Sequence, residues 1–185
     1  MELKVITNPI DQAGPARCLL SNLFYGWGYN FYRREDELDA DDLLIRGKLS
    51  QLVHDSHVHL ASLHAAFVRK HLPPGRNGAH ANPAAVEIEM VLERAQRELQ
   101  AMEMVVLTAA APEVGCIRRH DREQGAVVRL VALDGEALLA LVTLRDAIAR
   151  FDDGAAAAVR IDGLLRASAF NALWSRRQAL LSGAR

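Results

Sequence analysis

Aromatic residues are scarce in this chain of 185 residues, which has two tryptophans, three tyrosines and five phenylalanines. A β-sheet core usually draws on aromatic and β-branched side chains, so this scarcity disfavours a sheet. Half of the residues are nonetheless apolar, and the core must therefore consist mostly of leucine, valine and alanine. Leucine and alanine are the strongest helix formers among apolar residues. The composition predicts an all-α protein.

Cysteine, net charge and long apolar runs are also scarce. The spacing of Cys18 and Cys116 does not require a disulfide. We interpret both as free thiols, as is typical of a reducing cytoplasm. The formal net charge of −1 gives no global field that would attract nucleic acid or anionic lipid. No apolar run reaches the roughly 18 residues of a membrane helix, and the N-terminus has no signal-peptide pattern. We therefore expect a soluble, cytoplasmic protein that binds neither nucleic acid nor membrane.

Helical periodicity and helix-stop residues divide most of the chain into four main helices. The first follows the acidic run Glu35–Asp42 and ends near Leu72, before Pro73 and Pro74. Carboxylates in a first turn interact favourably with the positive end of the helix dipole, so we interpret this run as a charged helix start. The apolar stripe of the first helix comprises Leu38, Ile45, Leu49, Leu52, Val53, Leu60, Leu63 and Phe67.

Three further helices are predicted after the first. Asn82 as N-cap and Pro83 at the first helical position begin the second helix. The third is predicted from Glu113 to Phe151, and the last from about Asp162 to Ser182, after a break at the sequence FDDGAAAA. The apolar residues of the second helix alternate in steps of four and three, as in a bundle seam: Ile88, Leu92, Ala95, Leu99, Met102 and Val106.

The Asp134-Gly135 pair inside the third helix has two interpretations. Such a dipeptide favours a β-hairpin turn. The apolar positions on either side, however, keep a period of 3.6 residues, so we predict a helix. The predicted fold is an all-α up-and-down bundle of four main helices, preceded by a short helix and an aromatic corner. We assign residues 1–185 to one domain: 1–36 form the N-terminal segment and aromatic corner, 37–152 the bundle core, and 162–182 the C-terminal helix.

The aromatic corner is the segment FYGWGYNFY at residues 24–32, which contains six of the ten aromatic residues. Three interpretations are open: a structural corner between helices, in which two glycines permit tight turns; a partner-binding surface; and a small-ligand pocket. A base-stacking platform is disfavoured, because the arginines that follow are succeeded at once by acidic residues. We take Tyr25, Trp27 and Tyr29 as candidate partner-binding residues.

Histidines also cluster, six of the seven lying between residues 54 and 80. His57 and His64 lie beside the apolar stripe of the first long helix, and His120 is predicted on the inner face of the third. Imidazoles from two helices suggest a Zn or Fe site with candidate ligands His54, His57, His64, His120 and Cys18. The chain has no Glu-x-x-His motif, which di-iron bundles use. Core-boundary histidines and proton sensing are the other interpretations, and we predict that no metal is bound.

The C-terminal helix carries arginine close to its apolar stripe, which is formed by Leu165, Ala169, Leu173 and Leu180. Arg177 lies within about 40° of the centre of this stripe. One interpretation is that the helix packs incompletely and presents Trp174, Arg176 and Arg177 to a second subunit or another partner. The other is a loosely packed terminal helix with solvated arginines.

Recognisable catalytic constellations are absent from the sequence, which has no glycine-rich phosphate loop, nucleophile elbow or His-Glu-x-x-His motif. We therefore predict a non-enzymatic protein-interaction module, such as an adaptor, assembly factor or accessory factor. It would bind a protein partner, or a second copy as a homodimer, through the aromatic corner and the basic C-terminal helix. The alternative is a metal-binding helical bundle with imidazole ligands from two helices.

Overall fold

The computed structural model describes residues 38–72, 82–110 and 125–182. Within these ranges the chain is helical and contains no strand, so the all-α prediction is confirmed. The short first helix and the aromatic corner lie outside the described residues. The five described helices are α1 (Leu38–His71), α2 (Pro83–Leu107), α3 (Ala126–Ile148), α4 (Gly154–Ala167) and α5 (Phe170–Ser182).

The chain divides into two compact units, each assembled from segments that are distant in sequence. The first unit comprises Met1–Lys48, Ala109–Leu139 and Phe170–Arg185, and the second comprises Leu49–Thr108 and Ala140–Ala169. Both α1 and α3 contribute residues to both units. The assignment of the chain to one domain stays a prediction.

The second unit has a core of leucine, alanine and other apolar side chains at helical spacing. The stripe predicted on α1 is buried here at Leu49, Leu52, Val53, Leu60, Leu63 and Phe67. On α2, the buried residues of the predicted seam are Leu92, Ala95, Leu99, Met102 and Val106, whereas Ile88 is partly exposed. These helices pack because burial removes their apolar stripes from water, at roughly 25 cal/mol for each Å².

The ends of α2 and α4 follow the capping rules. The Asn82 side chain accepts a hydrogen bond from the backbone N–H of Ala84 at 3.1 Å, and Pro83 occupies the first turn of α2, as predicted. The Asp153 side chain accepts from the backbone N–H of Ala156 at 3.3 Å and caps α4. The predicted break at FDDGAAAA is therefore wrong for its second half: the alanines form the first turns of α4, in keeping with their high helix propensity.

The predicted C-terminal helix is two helices. The segment predicted as one helix from Asp162 to Ser182 is interrupted between α4 and α5, at Ala169, whose φ of 50° is incompatible with a continuous α-helix. Ala169 is exposed and does not belong to an apolar stripe. A non-glycine residue in this region of φ/ψ space costs about 1 kcal/mol or more, so the surrounding packing must stabilise the break.

The Asp134-Gly135 pair lies inside α3, which confirms the helical interpretation over the hairpin. Both residues are buried in the first unit. The core of this unit also contains the apolar side chains Ile45, Ala126, Leu130, Val131, Leu133, Ala137, Leu138, Phe170, Trp174 and Leu181. None of the described helices has the length and apolarity that crossing a bilayer requires.

Candidate partner-binding site

The predicted site residues are distributed unevenly over the structure. Tyr25, Trp27, Tyr29, Cys18 and His120 lie outside the described residues. Of the three C-terminal candidates, Arg176 is exposed on α5, whereas Trp174 and Arg177 are 3% and 0% exposed. The prediction that Trp174 and Arg177 are presented to a partner is therefore wrong. Both belong to the interior of the first unit.

Arg177 is buried because carboxylates from two other helices surround it. Its Nη2 lies 2.8 Å from Oδ1 of Asp42 in α1, and its Nε donates to Oδ1 of Asp134 in α3 at 2.5 Å. Arg46 binds the other oxygen of Asp42, with Nε 2.8 Å from Oδ2, and its Nη1 donates to the carbonyl of Ala109 at 2.8 Å. We call Asp42, Arg46, Asp134 and Arg177 the buried ion-pair network.

The acidic run Glu35–Asp42, interpreted above as a charged helix start, contributes to this network. Asp41 and Asp42 are 0% and 1% exposed, so the end of the run enters the core of the first unit. Desolvation of several charges is costly, and the opposite charges must approach closely to offset it. The guanidinium of Arg177 also lies over the ring of Trp174, with 4.9 Å between the guanidinium carbon and the ring centroid. The network joins α1, α3 and α5 inside this unit.

In the first unit, α3 and α5 form an open groove. Its volume is about 490 Å³, and it is lined by Arg129, Ala132, Leu133, Glu136, Arg176, Ala179 and Leu180. We call it the α3–α5 groove. Arg129, Glu136 and Arg176 are exposed, whereas Leu133 is buried and the other lining residues are partly buried. The groove therefore has an apolar floor between charged edges.

The two helices that form the α3–α5 groove contribute the same short pattern. In α3 it is Arg129-x-x-Ala132-Leu133, and in α5 it is Arg176-x-x-Ala179-Leu180. Residues at i, i+3 and i+4 share one helix face, so each helix brings an arginine, an alanine and a leucine to the groove.

The three charged groups of the α3–α5 groove are available to a partner. In the part of the chain that the structure describes, the side chains of Arg129, Glu136 and Arg176 form no hydrogen bond or ion pair. The adjacent Arg177, in contrast, is committed to Asp42 and Asp134. The neighbouring residues Arg176 and Arg177 on α5 therefore differ: Arg177 is buried in ion pairs, whereas Arg176 is exposed.

The histidines of α1 pair individually with side chains of α2 in the second unit. The Gln96 amide Nε2 lies 2.7 Å from Nδ1 of His64 and that of Gln100 lies 3.1 Å from Nε2 of His57, so each amide donates to an imidazole nitrogen. A third contact joins His54 Nδ1 and Glu103 Oε1 at 3.5 Å. Residue numbers rise along α1 as they fall along α2, so the two helices are antiparallel here.

The described histidines do not converge on a metal. Among the residues that the structure describes, no three His, Cys, Asp or Glu side chains are placed to hold one ion. His57 and His64 are partly buried, as a core-boundary position requires, and His54 is exposed. The hypothesis of a Zn or Fe site that also uses His120 and Cys18 falls partly outside the described residues and stays a hypothesis.

Comparisons of the chain with protein families, with curated proteins and with solved structures found no match. The site is therefore argued from its own geometry. Sequence reasoning identified Arg176 but missed the α3–α5 groove and the buried ion-pair network. The repeated Arg-x-x-Ala-Leu pattern was a signal for the groove. No comparable local pattern connects Asp42, Asp134 and Arg177, which are far apart in sequence.

Proposed function

We propose that this protein is a non-enzymatic helical protein-interaction module, of the adaptor, assembly-factor or accessory-factor kind. Its partner binds in the α3–α5 groove, where Arg176 supplies the basic contact of the C-terminal helix. The observation that carries the proposal is the combination of an apolar floor with three unpaired charges at its edges.

The physical character of the α3–α5 groove supports a macromolecular partner. The partly exposed Leu180, Ala132 and Ala179 offer apolar area whose removal from water favours binding. Arginine, the residue type of Arg129 and Arg176, is one of three that are enriched among the energetically dominant contacts of interfaces. Open grooves between two helices are a recurrent docking surface for helical segments of other proteins.

The aromatic corner is the second contact in this proposal. Tyr25, Trp27 and Tyr29 are proposed as its contact residues from the sequence alone, because tyrosine and tryptophan are enriched at binding surfaces. The partner is a different protein or a second copy of the chain, and the experiment below distinguishes these outcomes by mass.

Site-specific photo-crosslinking in the native cells tests the proposed function. A photoreactive amino acid at position 180 places the probe in the α3–α5 groove, and one at position 159 provides the control, because Val159 is 84% exposed in the second unit. We expect a discrete protein adduct from position 180 and none of the same mass from position 159.

A charge-reversal variant makes this experiment specific. Arg129→Glu with Arg176→Glu should abolish the adduct at position 180, because it reverses the basic charge of the groove. Both changed residues are exposed, so the variant should remain folded. Absence of a protein adduct at position 180, or an equal adduct in the charge-reversal variant, would contradict the proposal.

A further inference from the structure

We infer that the segment that occupies the α3–α5 groove is an amphipathic α-helix with acidic side chains along the edges of its apolar face. This inference rests on the proposed function and specifies the chemistry of the partner. It follows from the shape of the groove floor, from the spacing of its residues and from the charges at its edges.

The floor of the α3–α5 groove suits a helix. Each of its two helices contributes one alanine, Ala132 or Ala179, beside one leucine, Leu133 or Leu180. Small residues let a third helix approach closely, while the leucines offer ridges between which its apolar side chains pack. An extended strand would instead need unpaired backbone N–H and C=O groups at a sheet edge. The groove is formed by α-helices, whose backbone groups are already paired.

The charges at the edges select an acidic helix. Arg129 and Arg176 come from different helices, so each side of the groove presents a guanidinium. A guanidinium binds a carboxylate through two parallel N–H···O bonds, which fixes the geometry as well as the sign of the partner's charge. Because both arginines are exposed, we expect their pairing to contribute mainly to selectivity and association rate.

Glu136 gives the α3–α5 groove a direction. It lies on the same face of α3 as Arg129, seven residues or two helical turns further along. A bound helix therefore meets positive charge at one point of this edge and negative charge about 10 Å away. A partner with a basic residue opposite Glu136 is expected to bind in one orientation, because the reversed orientation brings like charges together.

A displayed library of amphipathic helices tests the inference. The library consists of peptides of about 16 residues, or four to five turns, with leucine fixed along one face and Glu, Lys or Gln varied at the flanking positions. The full chain is the immobilised target, and selected peptides are read by sequencing. We expect glutamate to be enriched about tenfold over lysine at flanking positions, which corresponds to 1.4 kcal/mol of selectivity.

Two variants of the full chain serve as controls in the selection. In Arg129→Glu with Arg176→Glu, the preference should invert toward lysine. In Val159→Glu, on an exposed face of the second unit, the preference for glutamate should be unchanged. Enrichment of lysine by the natural chain, selection without charge preference, or an unchanged preference in the charge-reversal variant would each overturn the inference.

The selection and the crosslinking experiment separate the two proposals. A groove-dependent protein adduct at position 180 combined with no glutamate preference would leave the proposed function standing and refute the acidic helix. An adduct of twice the chain's mass would identify the partner as a second copy. The acidic-helix inference would then be refuted if the crosslinked segment of that copy is not an acidic helix. If neither experiment gives a groove-dependent signal, both proposals are wrong.

Discussion

The two compact units differ in whether they bury charged side chains. The first unit encloses charges: Asp42, Asp134 and Arg177 are each no more than 1% exposed. In the second unit the described buried polar residues are the uncharged Ser50 and Ser56, and at the core boundary neutral amides of α2 meet the histidines of α1. The first unit also carries the α3–α5 groove.

This difference connects stability with the candidate site. A buried ion pair often contributes less to stability than apolar packing would, but it specifies which groups come together. The Arg177–Asp134 pair joins α5 to α3, the same two helices that form the α3–α5 groove. The spacing of the groove therefore depends on buried charge, whereas the helix pairing in the second unit depends mainly on apolar burial.

The largest effect is expected when the buried ion-pair network loses its central cation. Arg177→Met leaves the carboxylates of Asp42 and Asp134 buried without their shared counter-charge, which should cost about 3–5 kcal/mol in the free energy of unfolding. Urea denaturation followed by circular dichroism measures this. Arg176→Met is the matched control and should change stability by less than about 0.5 kcal/mol, because Arg176 is exposed. Equal costs at the two positions would refute the contrast between them.

An intermediate effect is expected from the glycine that begins α4 in the second unit. A Cβ on Gly154 would lie 2.9 Å from Cβ of Phe67 and 3.2 Å from the carbonyl oxygen of Leu63. Gly154→Ala should therefore destabilise the protein by about 1–3 kcal/mol through overpacking.

Gly163 in the same helix is the matched control for this substitution. It has no atom within 4 Å of a built Cβ, so Gly163→Ala should stabilise the protein by about 0.5–1 kcal/mol through helix propensity. Thermal unfolding of the two variants should shift in opposite directions. Stabilisation of both variants would mean that the close packing around Gly154 relaxes easily, and destabilisation of both would contradict the prediction for Gly163.

The smallest effect is expected in the histidine contacts of the second unit. Gln96→Ala removes the amide that donates to Nδ1 of His64 and should cost about 1 kcal/mol. The neighbouring Arg97→Ala removes only an exposed i,i+4 pair with Glu93 and should cost about 0.5 kcal/mol or less. Chemical denaturation of both variants tests the ranking. A cost at Arg97 that equals or exceeds the cost at Gln96 would contradict it.

Local rules were sufficient for most of the described fold. The period of the apolar residues predicted the buried stripe of α1, Asn82 and Pro83 marked the start of α2, and periodicity across Gly135 correctly favoured a helix. Each of these signals is carried by residues within a few turns of one another, so no knowledge of tertiary contacts was needed.

The failures have a common physical cause, which is the pairing of charges across long sequence separations. Arg177 near an apolar stripe was interpreted as a surface anchor, and the burial of Asp42, in the charged helix start, was not predicted. Each is an unfavourable core residue when considered alone, because an unpaired buried charge is costly. Only the structure reveals that they neutralise one another. The break at Ala169 was missed for a related reason, since alanine carries no local signal for a positive φ.

The most direct test of the account is where a partner protects the chain. Backbone hydrogen exchange of the full chain should be measured with and without the protein recovered by crosslinking at position 180. We predict slower exchange in residues 126–139 and 170–182, which contain both sides of the α3–α5 groove, and unchanged exchange in α2. Protection confined to α2, with α3 and α5 unchanged, would contradict the central claim that this groove is the binding surface.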